Sequence, residues 1–97
     1  MHIQVIADPS SDGALAEIKR LGALMEALGY ASNTVYAEAY GGAGLVSILE
    51  VRAMRGQNEI LIMDCTRDQV QAVLEWQACD DGQGLYEDLV IHLVRKV

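Results

Sequence analysis

One short apolar run constrains what this chain can fold into more than any other feature. Residues 60–63 are four consecutive apolar residues, followed by Asp64 and the apolar Cys65. A continuous apolar run bounded by polar residues is typical of a strand that is buried on both faces of a covered parallel sheet. Its carboxylate, Asp64, falls at the end of the run, where open α/β folds place their binding sites.

Composition and charge exclude several classes of protein. The 97 residues predict a single domain over 1–97, and a hydrophobic share of 52% is typical of a globular chain. The formal net charge of −7 argues against nucleic acid and against anionic membrane surfaces, because both attract clustered Lys and Arg. No apolar run is long enough to cross a membrane, and the two cysteines are typical of reduced thiols, so we expect a cytoplasmic protein.

Alternating apolar residues predict three further strands, at 2–7, 34–40 and 89–94. Helical spacing predicts two helices, and the expected buried positions are Leu15, Ile18, Leu21, Met25 and Leu28 in the first and Val70, Val73, Leu74 and Cys79 in the second.

The ends of these two helices are also marked. The first is expected over 14–28, with Gly29 as its left-handed C-cap. The second follows a capping box, with Thr66 as N-cap and Gln69 at the third helical position.

The segment 45–55 decides the fold, and its pattern is compatible with two structures. Its length, the basic residues in its last turn and the following Gly56 favour a helix. A strand is the alternative, because the segment also contains β-branched residues. The helix predicts a small α/β domain with a four-stranded, mainly parallel sheet in the order β-α-β-α-β-α-β. The strand predicts an α+β ferredoxin-like fold with the order βαββαβ.

Three stretches give the chain a resemblance to response-regulator receiver domains. They are Val5-Ile6-Ala7-Asp8, the helix ending in Leu28-Gly29-Tyr30, and the buried strand ending in Asp64-Cys65. The resemblance implies that Asp64 is a phosphoacceptor and that Asp8 is a metal ligand. If the first and third strands are neighbours, as in the flavodoxin-like order, Asp8 and Asp64 meet at one rim of the sheet and could hold Mg²⁺ there.

A second resemblance belongs to the ferredoxin-like alternative. Thr34-Val35 followed by Gly41-Gly42 is similar to the second strand and loop base of PII-like signalling proteins, and the glycines near 82 and the basic residues near 95 are similar to that family's nucleotide loop and basic end. The resemblance implies a trimer that binds an adenine nucleotide or a small anion. Glycines that open a helix could also cradle a phosphate by themselves. The candidate ligand-binding residues from both arguments are Gly41, Gly42, Gly44, Gly82, Gly84, Arg95 and Lys96.

Groups suited to catalysis are scarce in this chain. It has two histidines, and neither they nor the cysteines have metal-ligand spacing. A thiol nucleophile at Cys65, next to a helix N-terminus, would have a depressed pKa, but no base is identifiable beside it. These features predict a non-enzymatic regulatory or protein-interaction domain, such as a degenerate receiver-like module. The PII-like protein and the Asp64 phosphoacceptor with Mg²⁺ stay open as alternatives.

Self-association is the last expectation. A four-stranded parallel sheet has two edges, and natural proteins cover or pair such edges. The segments 34–40 and 89–94 are the expected edge strands, so we predict a homo-oligomer, most simply a dimer, that pairs through one of them. The alternative is a monomer whose edges are protected by charged residues, namely Glu38, Glu87, Asp88, Arg95 and Lys96.

Overall fold

The computed structural model describes residues 2–29, 34–37, 42–79 and 87–96. Strands and helices alternate through them, which confirms the predicted α/β class and the parallel four-stranded sheet. The elements in chain order are β1 (His2–Ile6), α1 (Asp12–Ala27), β2 (Thr34–Tyr36), α2 (Gly42–Met54), β3 (Glu59–Cys65), α3 (Arg67–Ala78) and β4 (Val90–Arg95).

The ambiguous segment is the helix α2, so the ferredoxin-like alternative is wrong. Leu45 and Leu49, four residues apart, are both fully buried, as one face of a helix requires. The chain leaves the helix at Gly56, which has the positive φ of 78° that glycine adopts without a steric penalty. The PII-like resemblance assumed a strand order that this chain does not have.

The strand order in the sheet is β1-β4-β3-β2, and every neighbouring pair is parallel. The apolar run at 60–63 therefore lies in an interior strand, as predicted. The prediction that 89–94 forms an edge strand is wrong, because β4 pairs with β1 on one side and β3 on the other. The edges are β1 and β2, and residues 38–40 of the predicted second strand lie outside the described residues.

The connection from β1 to β2 crosses the sheet in one direction, and the next two connections return in the other. Because parallel crossovers are right-handed, opposite directions place the connecting helices on opposite faces. Accordingly α1 is the only described helix on one face, where Leu21 and Met25 pack with Leu61 of β3. Helices α2 and α3 share the other face and cover a larger cluster that includes Ile60 and Ile62.

The buried stripes of α1 and α3 differ from the predicted ones. On α1 the packed positions are 14, 18, 21 and 25, whose steps of four, three and four stay on one face, so Leu15 and Leu28 are exposed. On α3 the buried residues are Gln69, Val73 and Trp76, whereas Leu74 and Cys79 are exposed. A polar residue takes a buried position on α3, and hydropathy patterns do not anticipate that.

Candidate functional site

The carboxyl edge of the sheet brings together the ends of β1, β4 and β3. Asp8 follows β1, Arg95 ends β4 and is followed by Lys96, and Asp64 lies near the end of β3. Because β4 lies between β1 and β3, the two aspartates do not lie on neighbouring strands. At the usual strand spacing, β1 and β3 are about 10 Å apart. The arrangement assumed for a shared Mg²⁺ site is therefore not present, and the described residues contain no group of three or more His, Cys, Asp or Glu placed to hold a metal ion.

Asp8 organises the turn between β1 and α1. Its Oδ1 accepts hydrogen bonds from the Ser10 backbone N–H at 2.9 Å and the Ser10 hydroxyl at 2.7 Å. These bonds favour the ionised form and hold the pKa of the Asp8 carboxyl below its usual range. Ser11, which follows Ser10, is the N-cap of α1, and its hydroxyl oxygen accepts a hydrogen bond from the Ala14 N–H at 3.2 Å. Asp8 thus already has a local structural role in the turn.

Asp64 is the one described non-glycine residue with a positive φ, at 61°. It lies where the ladder between β3 and β4 is interrupted, between Ile62 and Cys65. A left-handed conformation costs an ordinary L-residue roughly 1–2 kcal/mol, and aspartate tolerates it better than most. Ladder irregularities and strained residues both concentrate at functional sites. Asp64 is therefore the residue at this edge with the strongest local indication of a role beyond packing.

The junction after Asp64 is held firmly on both sides. Thr66 and Gln69 form the predicted capping box, in which the Thr66 N–H donates to Gln69 Oε1 at 2.8 Å and the Gln69 N–H donates to Thr66 Oγ1 at 3.2 Å. Gln69 Nε2 also donates to the Ala37 carbonyl at 2.8 Å, which ties α3 to the end of β2. Sequence analysis identified the cap and missed this second bond, since no local pattern relates residues 32 positions apart.

Cys65 is not an activated nucleophile. The side chain is 1% exposed, and its burial raises the pKa of the thiol to about 11, opposite to the depression that a catalytic cysteine needs. The thiol instead donates to the Ile62 carbonyl at 3.6 Å. Both Cys65 and Cys79 are free thiols, and Cys79 is exposed.

The described residues among the remaining predicted ligands lie at or after the ends of two strands that are not neighbours, β2 and β4. Gly42 and Gly44 fall in the first turn of α2, which begins at the carboxyl edge of the sheet, and Arg95 and Lys96 are exposed. The other three, Gly41, Gly82 and Gly84, lie outside the described residues. The four described candidates thus lie at the carboxyl edge of the sheet, with β3 between the two strands that lead to them.

A polar pair beneath α1 was not anticipated. His92 in β4 is buried, and its Nε2 lies 2.9 Å from Glu59 Oε1 of β3. His92 Nδ1 is buried without a hydrogen-bond partner. On α1, Arg20 Nε donates to Glu17 Oε2 at 3.1 Å, and this bond lowers the pKa of Glu17. The only signal in the sequence was that His92 alternates with apolar residues, on the opposite side of the strand from Ile91.

The edge strand β1 is the least covered part of the sheet. It is paired through β4, and the His2 N–H donates to the Leu89 carbonyl at 2.8 Å. Ile3 and Val5 point to the face covered by α2 and α3, because their register partners Ile91 and Leu93 do so. Ile3 packs at the border of that core, whereas Val5 is 43% exposed. A β-branched side chain therefore faces solvent beside a strand edge with which no other described strand pairs.

Comparisons with protein-family models, with curated proteins and with solved structures find no match for this chain. Within the described residues, none of the helices has the length and apolar character needed to cross a membrane.

Proposed function

We propose that this chain is a non-enzymatic regulatory domain that works by binding another polypeptide, and that the strand edge of β1 is its binding surface. The observation that carries the proposal is the combination at β1 of an edge that no described strand pairs with, a sequence without Lys, Arg, Asp or Glu, and the 43% exposed Val5. Exposed edge strands are ready templates for an added strand, and natural proteins usually protect them with charge, proline or a bulge. Residues 2–6 contain no Lys, Arg, Asp, Glu or Pro.

The mode of recognition follows from the geometry of the edge. An extended peptide that adds to a sheet gains main-chain hydrogen bonds for affinity and uses alternate side chains for specificity. On β1 the alternate side chains Ile3 and Val5 provide an apolar strip on one face. A partner segment of β-branched or aromatic residues at alternate positions fits this strip. The free thiols of Cys65 and Cys79 support placing this function in the cytoplasm.

Peptide selection tests the binding mode directly. A random peptide library displayed on phage is selected against the wild-type protein alone, and the affinity of the enriched peptides is then measured for the wild type and for Val5→Pro. The Val5 N–H points away from β4, so proline removes an outward donor and leaves the ladder to β4 intact. We expect selected peptides to lose at least about tenfold in affinity for Val5→Pro.

Tyr36→Lys is the matched control for this experiment, because Tyr36 is a 56% exposed residue on the opposite edge strand, β2. We expect it to bind the selected peptides like the wild type. If no peptide enriches, or if the enriched peptides bind Val5→Pro and the wild type equally, the proposed function is wrong.

A second candidate function is supported by one specific observation, the left-handed backbone at Asp64. An aspartate with a strained backbone at the carboxyl end of a parallel strand is suited to act as a phosphoacceptor, as the receiver resemblance implies. Incubation with acetyl phosphate and Mg²⁺, followed by intact mass measurement, tests it. A phosphoryl adduct that is lost in Asp64→Asn and kept in Asp8→Asn would favour this function over the non-enzymatic binding domain.

A further inference from the structure

We propose that the partner of the β1 edge is the β1 edge of a second copy of this chain, paired antiparallel about a two-fold axis at Gln4. This inference rests on the proposed function, since it names the occupant of the same surface. The pairing would join two four-stranded sheets into one continuous sheet of eight strands. Three observations carry it, namely the direction of the backbone groups of β1, the order of its side chains and the distribution of charge.

The backbone groups of β1 match this pairing. In a parallel ladder, the N–H and C=O of one residue point to the same side, and those of the next residue point to the other side. The His2 N–H donates to β4, so the groups of His2, Gln4 and Ile6 point inward. The N–H and C=O of Ile3 and Val5 therefore point outward from the edge. These outward groups are the ones that a partner strand must satisfy.

One antiparallel register uses all of these outward groups. When Ile3 lies opposite Val5 of the second copy, each such pair exchanges two hydrogen bonds, and the symmetry repeats the exchange at the other pair. Gln4 then faces its own copy at the axis as a non-hydrogen-bonded pair. A shift of two residues in either direction moves one outward residue beyond the five-residue strand. The strand is thus self-complementary about its central residue.

The side chains agree with the same register. Ile3 and Val5 are β-branched and share one face, so each copy places an isoleucine directly across from a valine. Such cross-strand apolar pairs are the stabilising unit of antiparallel sheets. On the other face, the two exposed Gln4 amides meet, and each amide has both a donor and an acceptor. The exposed Val5 would gain a partner on the face where it now contacts solvent.

Charge favours β1 over the other edge of the sheet. Two copies with a net charge of −7 each repel one another overall, so a contact between them must avoid juxtaposed carboxylates. β1 has no acidic residue within 2–6, whereas the three-residue strand β2 is followed closely by Glu38 in the sequence. Short edges are themselves protected against pairing. Salt should strengthen the β1 pairing, because it screens the repulsion between the copies.

Sedimentation equilibrium at low and high salt measures the association. A single pair of edge strands buries less area than a standard interface of about 1,600 Å², so we expect a reversible dimer of the 10.5 kDa chain. Val5→Pro and Val5→Lys should each raise the dimer dissociation constant at least about tenfold, and Tyr36→Lys should leave it unchanged. Circular dichroism measures whether each variant is folded. If Val5→Pro does not fold, Val5→Lys alone tests the pairing.

Disulfide trapping tests the register, in a Cys79→Ala background that removes the exposed thiol. Cα atoms of a non-hydrogen-bonded antiparallel pair are about 4.5 Å apart, within the range that a disulfide spans. Gln4→Cys should therefore form a covalent dimer on mild oxidation. His2→Cys is the matched control on the same strand face, because the two copies of residue 2 would be about 14 Å apart in this register.

The outcomes separate this inference from the proposed function. A single 10.5 kDa species up to about 1 mM, or a dimer unaffected by both Val5 variants, would overturn the self-pairing. Equal trapping of Gln4→Cys and His2→Cys would also overturn it. In either case the peptide selection decides the proposed function independently, because selected strands can bind β1 of a monomer.

Discussion

The two faces of the sheet are built differently, although the same strands supply both. Among the described residues, the face under α2 and α3 buries a cluster of twelve apolar residues, and the face under α1 buries five. The α1 face also contains the buried pair of His92 and Glu59. The difference follows from the strand order, because right-handed crossovers place α1 on one face and both α2 and α3 on the other. The face with two helices should therefore carry most of the stability.

The largest expected effect compares one buried residue from each face. Ile62 is fully buried under α2 and α3, and Leu21 is buried on α1. We expect Ile62→Ala to lower the free energy of unfolding by about 4 kcal/mol and Leu21→Ala by about 2–3 kcal/mol, because a single covering helix can relax into the cavity more easily. Urea unfolding measures both, and a larger loss for Leu21→Ala would contradict the proposed difference between the faces.

Alkaline pH should destabilise the α2 and α3 face through Cys65. Its thiol has a folded pKa of about 11, against the ordinary value of 9.0, so between these values the unfolded chain loses a proton that the folded chain keeps. The contribution of this thiol to the free energy of unfolding is therefore fully present below pH 9. It decreases as pH rises, by about 2–3 kcal/mol at pH 11. Melting temperatures of Cys65→Ala should show a shallower alkaline decline than the wild type, and those of Cys79→Ala should follow the wild type.

The polar pair provides the corresponding test on the α1 face. Glu59→Ala leaves the buried His92 ring without its carboxylate partner, and we expect it to lower the free energy of unfolding by about 2 kcal/mol. Adding His92→Leu to this variant should recover most of the loss, because the uncompensated polar group is then gone. Chemical denaturation of the single and double variants measures this, and a further loss in the double variant would show that the imidazole contributes mainly by packing.

The smallest expected effect concerns the left-handed residue Asp64, at the rim between the two faces. Asp64→Gly should leave stability unchanged or raise it slightly, whereas Asp64→Ala should lower it by about 1 kcal/mol, because alanine tolerates a φ of 61° poorly. Thermal unfolding of the two variants measures the order. The reverse order would mean that the aspartate side chain makes a stabilising contact that outweighs the backbone strain.

Much of the local structure could be predicted from the sequence. The capping box of Thr66 and Gln69, the left-handed glycines at 29 and 56, and the doubly buried strand around Ile62 all agree with the structure. Each of these features depends on residues within a few positions of one another. Hydrogen bonds at helix ends and the period of apolar residues are properties of such short stretches.

The candidate site was only partly predictable for the complementary reason. That Asp8 and Asp64 lie at the same edge of the sheet follows from local strand signals and parallel order. That β4 separates them depends on which strand pairs with β1, and no local sequence pattern predicts this pairing. The hydrogen bond from Gln69 to the Ala37 carbonyl is likewise a long-range contact that local sequence patterns do not predict.

The sequence by itself determined where α1, α3 and the central strand lie, and it favoured a helix for 45–55 without excluding a strand there. Only the tertiary structure decided the strand order, and with it the face that each helix covers and the strand whose edge stays open. The reason is that capping and periodicity are set by neighbouring residues, whereas strand order depends on burial summed over the whole chain. The open edge of β1, on which the proposed function depends, is a consequence of that order.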